Sequence, residues 1–245
     1  MNERVRFIIV FVSSLVVLKV IGEVIHEVLG HGTFVLAFGG EITAVHISLL
    51  WPYELSHISW VPPAGGFEPW QEAWIHGGGI LVCLLVSTIV QLLLLLRVLR
   101  DWRLTVPLLW LGFWTFLNPA GYLIMGGIGP FGDIQDLVND GVLTRGLSLA
   151  LGLAVLLPAF LALSKALRDI LLGLGVVRDT GELRISLALF WLLLPLSTAA
   201  ALAGLGILGK GLPFLAVSFL PSGLSRFTPM LPWMRVRGWA GNRDE

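Results

Sequence analysis

The stretch RFIIVFVSSLVVLKVIGEVIHEVLGHGTFVLAF, residues 6–38, combines the composition of a membrane-spanning helix with a group of ionisable side chains. It is apolar over more than the ~20 residues that a helix needs to cross the ~30 Å hydrocarbon core of a bilayer. After Arg6 at its start, the ionisable side chains within it are Lys19, Glu23, His26, Glu27 and His31. Because such groups are costly inside a membrane, their presence predicts a functional site.

The two histidines flank Glu27 in the pattern H-E-x-x-x-H, one residue longer than the zinc-binding pattern H-E-x-x-H. On a regular α-helix, His26 and His31 would point about 140° apart. A π-bulge adds one residue to a turn and would bring them into line, and such bulges are frequent at functional sites. Gly30 and Gly32 lower the cost of that distortion. We therefore predict a π-bulge between the histidines and a metal site that uses both. A simpler alternative is a salt bridge between Lys19 and Glu23, four residues apart, with the histidines lining a polar cavity.

The composition of the whole chain predicts an integral membrane protein. Of its 245 residues, 56% are hydrophobic and 13% charged, and the mean hydropathy is +0.87. The single cysteine, Cys83, leaves no disulfide framework and no cysteine-based metal site, so a transition metal would be held by His, Asp or Glu. The net charge is zero and no long basic tract is present, which argues against nucleic acid as a partner.

Apolar segments long enough to cross a bilayer predict an all-α integral membrane protein with five or six transmembrane helices, built as a single membrane domain over 1–245. The segments lie at about 6–38, 74–96, 105–125, 146–164 and 185–208. The shorter segment 212–220 fits a sixth crossing, a re-entrant segment or an interfacial helix. The outer loop after the first segment alternates over 42–50, which is typical of a strand or a β-hairpin. Its histidines, His46 and His57, have no neighbour at metal-ligand spacing.

The distribution of positive charge predicts the orientation, because lysine and arginine favour the cytoplasmic side. With the N-terminus inside, the inner segments carry Arg4, Arg6, Arg97, Arg100, Arg103, Lys165, Arg168, Arg178 and Arg184, and the outer segments carry Arg145 and Lys210. We therefore expect a multi-pass protein with a cytoplasmic N-terminus and a retained first helix. The histidine motif then lies towards the extracytoplasmic side.

A catalytic zinc site uses three protein ligands, so the histidine pair needs a partner. The best candidate region is LNPAGYLIMGGIGPFGDIQDL, residues 117–137, which should reach the same outer side. Pro119 is expected to interrupt the third helix before this region. Asp133 is the leading third ligand, although capping a short helix is its alternative role. The other candidate ligands are Asp136, His76 and Glu23.

Two resemblances support a zinc site. HEVLGHG, residues 26–32, is similar to the H-E-L-L-G-H-G motif of the dipeptidyl peptidase III family, soluble zinc peptidases with the same longer histidine spacing. Over roughly residues 20–140 the chain resembles the site-2 protease family of intramembrane metalloproteases. That resemblance uses the histidine motif, a glycine pair at 39–40, the polar and aromatic loop, the helix start HGGGILVCLLVST, and an Asn-Pro element at 118–119 followed by a Gly-Asp step at 132–133. It implies that Asp133 is the third zinc ligand, although Phe131-Gly132-Asp133 replaces the usual Leu-Asp-Gly.

The resemblance implies an intramembrane zinc metalloprotease that hydrolyses peptide bonds of membrane-associated substrates. His26, His31 and Asp133 would bind Zn²⁺, and Glu27 would act as general base towards a zinc-bound water. Asn118 would donate a hydrogen bond to the substrate, or else to carbonyls that Pro119 frees. Residues 1–140 would form the catalytic helices and loop, and residues 141–245 scaffold helices and a basic C-terminal tail.

The same residues also fit other functions. They would serve a non-proteolytic membrane zinc hydrolase, or an inactive metal-binding relative that holds a partner helix. Metal transport is disfavoured because the ionisable side chains cluster on one side of the bilayer. The expected partners are a membrane protein or peptide substrate and the lipid bilayer.

Overall fold

The computed structural model describes residues 2–48, 56–99, 101–204, 206, 212–231 and 234. They form a mostly helical protein with one two-stranded antiparallel hairpin. In chain order the elements are α1 (Glu3–Val24), a π-helix (Ile25–Gly32), α2 (Thr33–Ala37), β1 (Glu41–His46), β2 (His57–Val61), α3 (Pro69–Leu95), α4 (Trp102–Ile128), α5 (Gly132–Asn139), α6 (Arg145–Gly173), α7 (Thr180–Gly204), α8 (Leu212–Ser218), α9 (Leu220–Ser225) and a 3₁₀ turn (Thr228–Met230). The predicted basic tail falls largely outside the described residues.

Five helical segments of the described chain are long and apolar enough to cross a membrane. They are Val5–Ala37, Pro69–Leu95, Trp102–Ile128, Arg145–Gly173 and Thr180–Ala200. These segments correspond to the five that the sequence predicts. The segment 212–220 instead contains α8 and the start of α9. Within the described residues, α8 has seven residues and is ~10 Å long, which is too short to cross the hydrocarbon core.

Helix α4 lies at the centre of the helical packing and contacts α1, α3, α5 and α6. Trp110 and Phe113 on α4 are fully buried. They pack against Phe190 and Trp191 of α7 in tilted and edge-on pairs. Aromatic pairs of this kind add about 0.5–1.5 kcal/mol each to the stabilisation that burial provides. This core fixes α4, and with it the end of α4 that faces the site.

The prediction that Pro119 interrupts the third helix is wrong. Helix α4 continues through Pro107 and Pro119 to Ile128. Pro119 is buried among the neighbouring helices, and tertiary packing supports a helix across the backbone hydrogen bond that a proline removes. The chain therefore leaves the helix only at Gly129, just before the segment that carries Asp133.

The hairpin of β1 and β2 confirms the strand prediction for the outer loop. Its register places His46 opposite His57, and their rings stack with centroids 5.3 Å apart. The two histidines are therefore neighbours across the strands, which their separation in the sequence did not reveal. The hairpin packs on the π-helix, where a Cβ atom at Gly32 would lie 3.1 Å from Cδ1 of Ile42.

Candidate metal centre

The histidine motif lies in a π-helix, as the spacing of its histidines predicts. The distortion covers Ile25–Gly32, eight residues and not only the single turn expected. The longer turn brings His26 and His31 to one side, with their ring centroids 4.9 Å apart and their Nε2 atoms 3.3 Å apart. Gly30 and Gly32 do not have the left-handed backbone that favours glycine. These glycines matter because they have no side chain, which lets neighbouring elements approach the π-helix closely.

Glycines allow α3 to approach the π-helix at backbone contact. A Cβ atom at Gly30 would lie 2.4 Å from Cα of Gly79, and one at Gly78 would lie 2.8 Å from the carbonyl oxygen of Gly30. A Cβ atom at Gly79 would lie 2.6 Å from Cε1 of His26 and 2.7 Å from the Nε2 atoms of both histidines. Two of the three consecutive glycines of α3, Gly78 and Gly79, therefore lie where a side chain would clash with the π-helix. At Gly77, a Cβ atom would meet nothing nearer than 3.9 Å.

Asp133 joins the two histidines from the first turn of α5. Its Oδ2 atom lies 3.4 Å from Nε2 of His26 and 3.4 Å from Nε2 of His31. The three residues each offer one ligand atom and together could hold a metal ion. Asp133 Oδ2 is buried and has no hydrogen-bond partner in the described part of the chain. A buried carboxylate oxygen requires compensation for its desolvation, and a cation is one partner that provides it.

The charge state of Asp133 suits a metal ligand. Burial raises the pKa of its carboxyl group, but the adjacent imidazoles of His26 and His31 outweigh burial and hold that pKa well below its usual range. The carboxyl group is therefore ionised, which is the form that binds a cation. No side chain caps α5, whose N-cap position is Phe131, so the capping role considered for Asp133 is wrong.

The other candidate ligands are engaged elsewhere. His76 Nδ1 lies 3.6 Å from Oδ2 of Asp136, and Glu23 Oε1 lies 3.6 Å from Nζ of Lys19. The second contact is the salt bridge that the alternative interpretation of the first helix proposes, and it is present alongside the His26–His31–Asp133 group. Among the described residues, no other group of three His, Cys, Asp or Glu side chains has the spacing of a metal site.

A second layer of contacts orients the two imidazoles. His31 Nδ1 lies 2.7 Å from the carbonyl oxygen of Ile75. A carbonyl oxygen can only accept, so Nδ1 carries a proton, and Nε2 is the ring atom left to bind a metal. His26 has a different neighbour, because its Nδ1 lies 3.9 Å from Sγ of the buried Cys83. Each ring is thus held at the nitrogen that faces away from the three ligand atoms.

The two residues predicted to be catalytic differ in their placement. Glu27 is buried beside the centre, close enough to both histidines and Asp133 for electrostatic interaction. Its carboxylate forms no hydrogen bond or ion pair with a described residue. Asn118 in α4 is half-buried and likewise has no hydrogen bond within the described chain. Neither role considered for Asn118 is therefore visible as a contact.

Tyr122 and Cys83 contact the centre, although the predictions from sequence assign neither of them a role in it. The Tyr122 ring lies 5.0 Å from the His26 ring, centroid to centroid. It also fills the space beside Gly132, where a Cβ atom would lie 2.4 Å from Cε1 of Tyr122. Gly132 has a φ of +46°, so both its backbone and this contact require glycine. The one signal in the sequence is helical spacing, since Cys83 follows Gly79 by one turn.

Comparison of the sequence with protein-family models and with curated proteins, and of the fold with solved structures, finds no significant match.

Proposed function

We propose that this chain is an intramembrane zinc metallopeptidase that hydrolyses peptide bonds of membrane-associated proteins or peptides, with Glu27 as general base. The proposal is carried by the triangle of His26 Nε2, His31 Nε2 and Asp133 Oδ2, whose edges are 3.3, 3.4 and 3.4 Å. Tetrahedral zinc with ligands at about 2.0–2.1 Å separates them by about 3.3–3.4 Å. The triangle therefore fits three corners of a zinc tetrahedron, and three protein ligands are typical of catalytic zinc.

The residues around the triangle divide the chemistry among them. Zinc held there would supply a Lewis acid beside the scissile carbonyl group. Glu27 takes a proton from the attacking water and passes it to the leaving nitrogen. Its position next to His26, its burial and its unpaired carboxylate support this role. The carbonyl of Ile75 keeps His31 in the tautomer that binds a metal through Nε2.

A membrane setting is supported by the surface of the helices. Ile8, Val12 and Val16 on α1 are exposed in the isolated protein although the segment is apolar enough to span a bilayer. Exposed apolar side chains in such number suit lipid as the surrounding medium. The excess of lysine and arginine at the opposite end of the helices supports a cytoplasmic N-terminus and a site towards the extracytoplasmic side.

Hydrolysis within a membrane needs a route for water and for an extended substrate. Lys19, Glu23 and Glu27 follow one another at four-residue intervals. Lys19 Nζ lies 3.6 Å from Glu23 and donates a 2.6 Å hydrogen bond to the carbonyl oxygen of Ser48, just after β1. Non-helical backbone at this depth is tolerated where it lines a cavity or is covered by protein. The hairpin thus borders a polar region beside the centre, and an extended substrate could pair with its edge.

The test is the zinc content and peptidase activity of the purified full chain, with fluorescein-labelled casein as an unfolded substrate. Wild type should carry equimolar zinc and cleave casein. Glu27→Gln should keep zinc and lose cleavage, and Asp133→Asn should lose zinc affinity. Asp140→Asn, the same change at an exposed residue after α5, is the matched control.

Each failure has a distinct meaning. A wild type without stoichiometric zinc would refute the metal centre. A zinc-loaded protein that cleaves neither casein nor membrane proteins would refute the peptidase, and hydrolysis of lipid amides would then favour the alternative zinc hydrolase. For orientation, a cysteine introduced at the exposed Ser59 should react with an impermeant maleimide in intact cells. Reaction only after permeabilisation would reverse the topology.

A further inference from the structure

A second histidine–carboxylate pair lies one helical turn from the metal centre. His76 precedes Gly79 by three residues on α3, and Asp136 follows Asp133 by three residues on α5. Residues three apart share a helix face and are separated by about 5 Å along the axis. Gly79 touches both ligand imidazoles, and Asp133 is itself a ligand candidate. The contact between His76 and Asp136 therefore lies about one helical turn from the group formed by His26, His31 and Asp133.

The side chains of this pair are more exposed to solvent than the two histidines of the metal centre. The His76 and Asp136 side chains are 23% and 49% exposed, whereas those of His26 and His31 are 1% and 5% exposed. The ring of Trp60 on β2 packs edge-on to the His76 ring, with centroids 6.2 Å apart. His76 thus contacts the hairpin through Trp60 and α5 through Asp136.

The carboxylate of Asp136 determines which nitrogen of His76 is available. Because a carboxylate accepts, His76 Nδ1 carries the proton that faces it across 3.6 Å. The opposite nitrogen, Nε2, has no hydrogen-bond partner in the described part of the chain. In the imidazolium form of the ring, Nε2 carries a proton as well and is a donor. In that form the pair presents an N–H donor on the side of the ring that faces away from Asp136.

We propose that His76 is a catalytic residue, held by Asp136, which as the imidazolium donates a hydrogen bond from Nε2–H to the scissile carbonyl oxygen. The inference rests on the proposed peptidase function. When water attacks the carbonyl carbon, the C=O electron pair moves to the oxygen, and His76 stabilises that negative charge. When the pair returns and C=O re-forms, the C–N bond breaks. The nitrogen leaves with the proton that Glu27 took from water, so His76 ends with the protons that it began with.

The experiment compares full-length His76→Ala, His76→Gln and Asp136→Asn, with kcat and KM on casein and zinc affinity measured for each. The kcat of His76→Ala should fall about 10²-fold, the effect of removing one oxyanion donor, with KM and zinc affinity unchanged. His76→Gln places an amide N–H near the position of Nε2 and should recover about tenfold of this loss. Asp136→Asn should lower kcat with zinc retained, whereas Asp140→Asn should leave it unchanged.

The outcomes separate a catalytic from a structural role. An unchanged kcat in His76→Ala overturns the proposal. Loss of zinc affinity in Asp136→Asn also overturns it, because the pair would then serve only to join α5 to α3. If His76→Ala does not fold, His76→Gln and Asp136→Asn decide by the same two readouts. Failure of the peptidase proposal is recognised earlier, since wild type would then cleave neither casein nor membrane proteins.

Discussion

Replacing Gly79 by alanine should displace the imidazoles of both His26 and His31. The added Cβ atom would lie 2.6 Å from Cε1 of His26 and 2.7 Å from Nε2 of His26 and of His31. Ordinary contacts of a carbon atom lie at about 3.5–4.0 Å, so the rings or α3 must move by about 1 Å. Metal sites keep ligand distances within about 0.2 Å. The shift therefore exceeds what the triangle tolerates.

The expected magnitudes differ for zinc binding and for folding. We expect zinc affinity to fall by at least about 10–100-fold, the range found when the support of a ligand is removed. Overpacking costs about 1–3 kcal/mol, and alanine recovers up to about 1 kcal/mol of helix propensity. The free energy of unfolding of the zinc-free protein should therefore fall by about 0–2 kcal/mol, so Gly79→Ala should stay folded and can be assayed.

The assay is competition for zinc with a chromophoric chelator, together with thermal unfolding with and without zinc. Gly77→Ala is the matched control on the same helix, since its Cβ atom would meet nothing nearer than 3.9 Å. It should bind zinc as wild type does and unfold at an equal or higher temperature. Wild-type zinc affinity in Gly79→Ala would refute the reasoning, because the rings would then not need the space that Gly79 leaves.

Three further predictions concern the same centre. Gly30→Ala should impair folding more than Gly79→Ala, because its Cβ atom would lie 2.4 and 2.7 Å from backbone atoms of Gly79. Backbone atoms cannot rotate away as a side chain can. Equal unfolding temperatures of the two variants would contradict this prediction. Cys83→Val should weaken zinc binding about tenfold, and Cys83→Ser should weaken it less, since only serine keeps a polar partner for His26 Nδ1. Chelator competition measures the zinc affinity of both variants. Equal zinc affinities of the two variants would exclude a role for the thiol. Zinc affinity should fall as pH falls because protons compete for the imidazoles, and the low pKa of Asp133 keeps its carboxylate ionised meanwhile. Equilibrium dialysis from about pH 8 to pH 4 should therefore show release in the histidine range, and retention of zinc at the acid end would contradict it.

The parts of the structure that follow from chain periodicity were predictable. The five long helices and the hairpin correspond to apolar runs and to a two-residue alternation. The π-helix was predictable because the spacing of His26 and His31 fits no regular helix with both rings on one face. Asp133 was found because topology places it at the end of the helices that also holds the histidines.

The parts that depend on tertiary packing were not predictable. Pro119 predicts an interruption of the helix, yet α4 continues through this residue because the surrounding helices pack against it. Tyr122 and Cys83 are placed beside His26 only by the contacts of α4 and α3 with the π-helix. The His76–Asp136 pair joins residues 60 positions apart, and neither side chain alone indicates the other.

The longer histidine spacing and the close approach of α3 are consequences of one arrangement. In H-E-x-x-H the fourth position after the first histidine is the second histidine, whereas here that position is Gly30 and His31 follows it. Gly30 is the residue that meets Gly79 at backbone distance, and Gly79 in turn touches both rings. A side chain at either glycine would separate α3 from the π-helix, and the Ile75 carbonyl would then no longer reach His31. The extra residue therefore supplies a glycine where α3 must approach, and the π-helix restores the alignment of the two imidazoles that the extra residue would otherwise destroy.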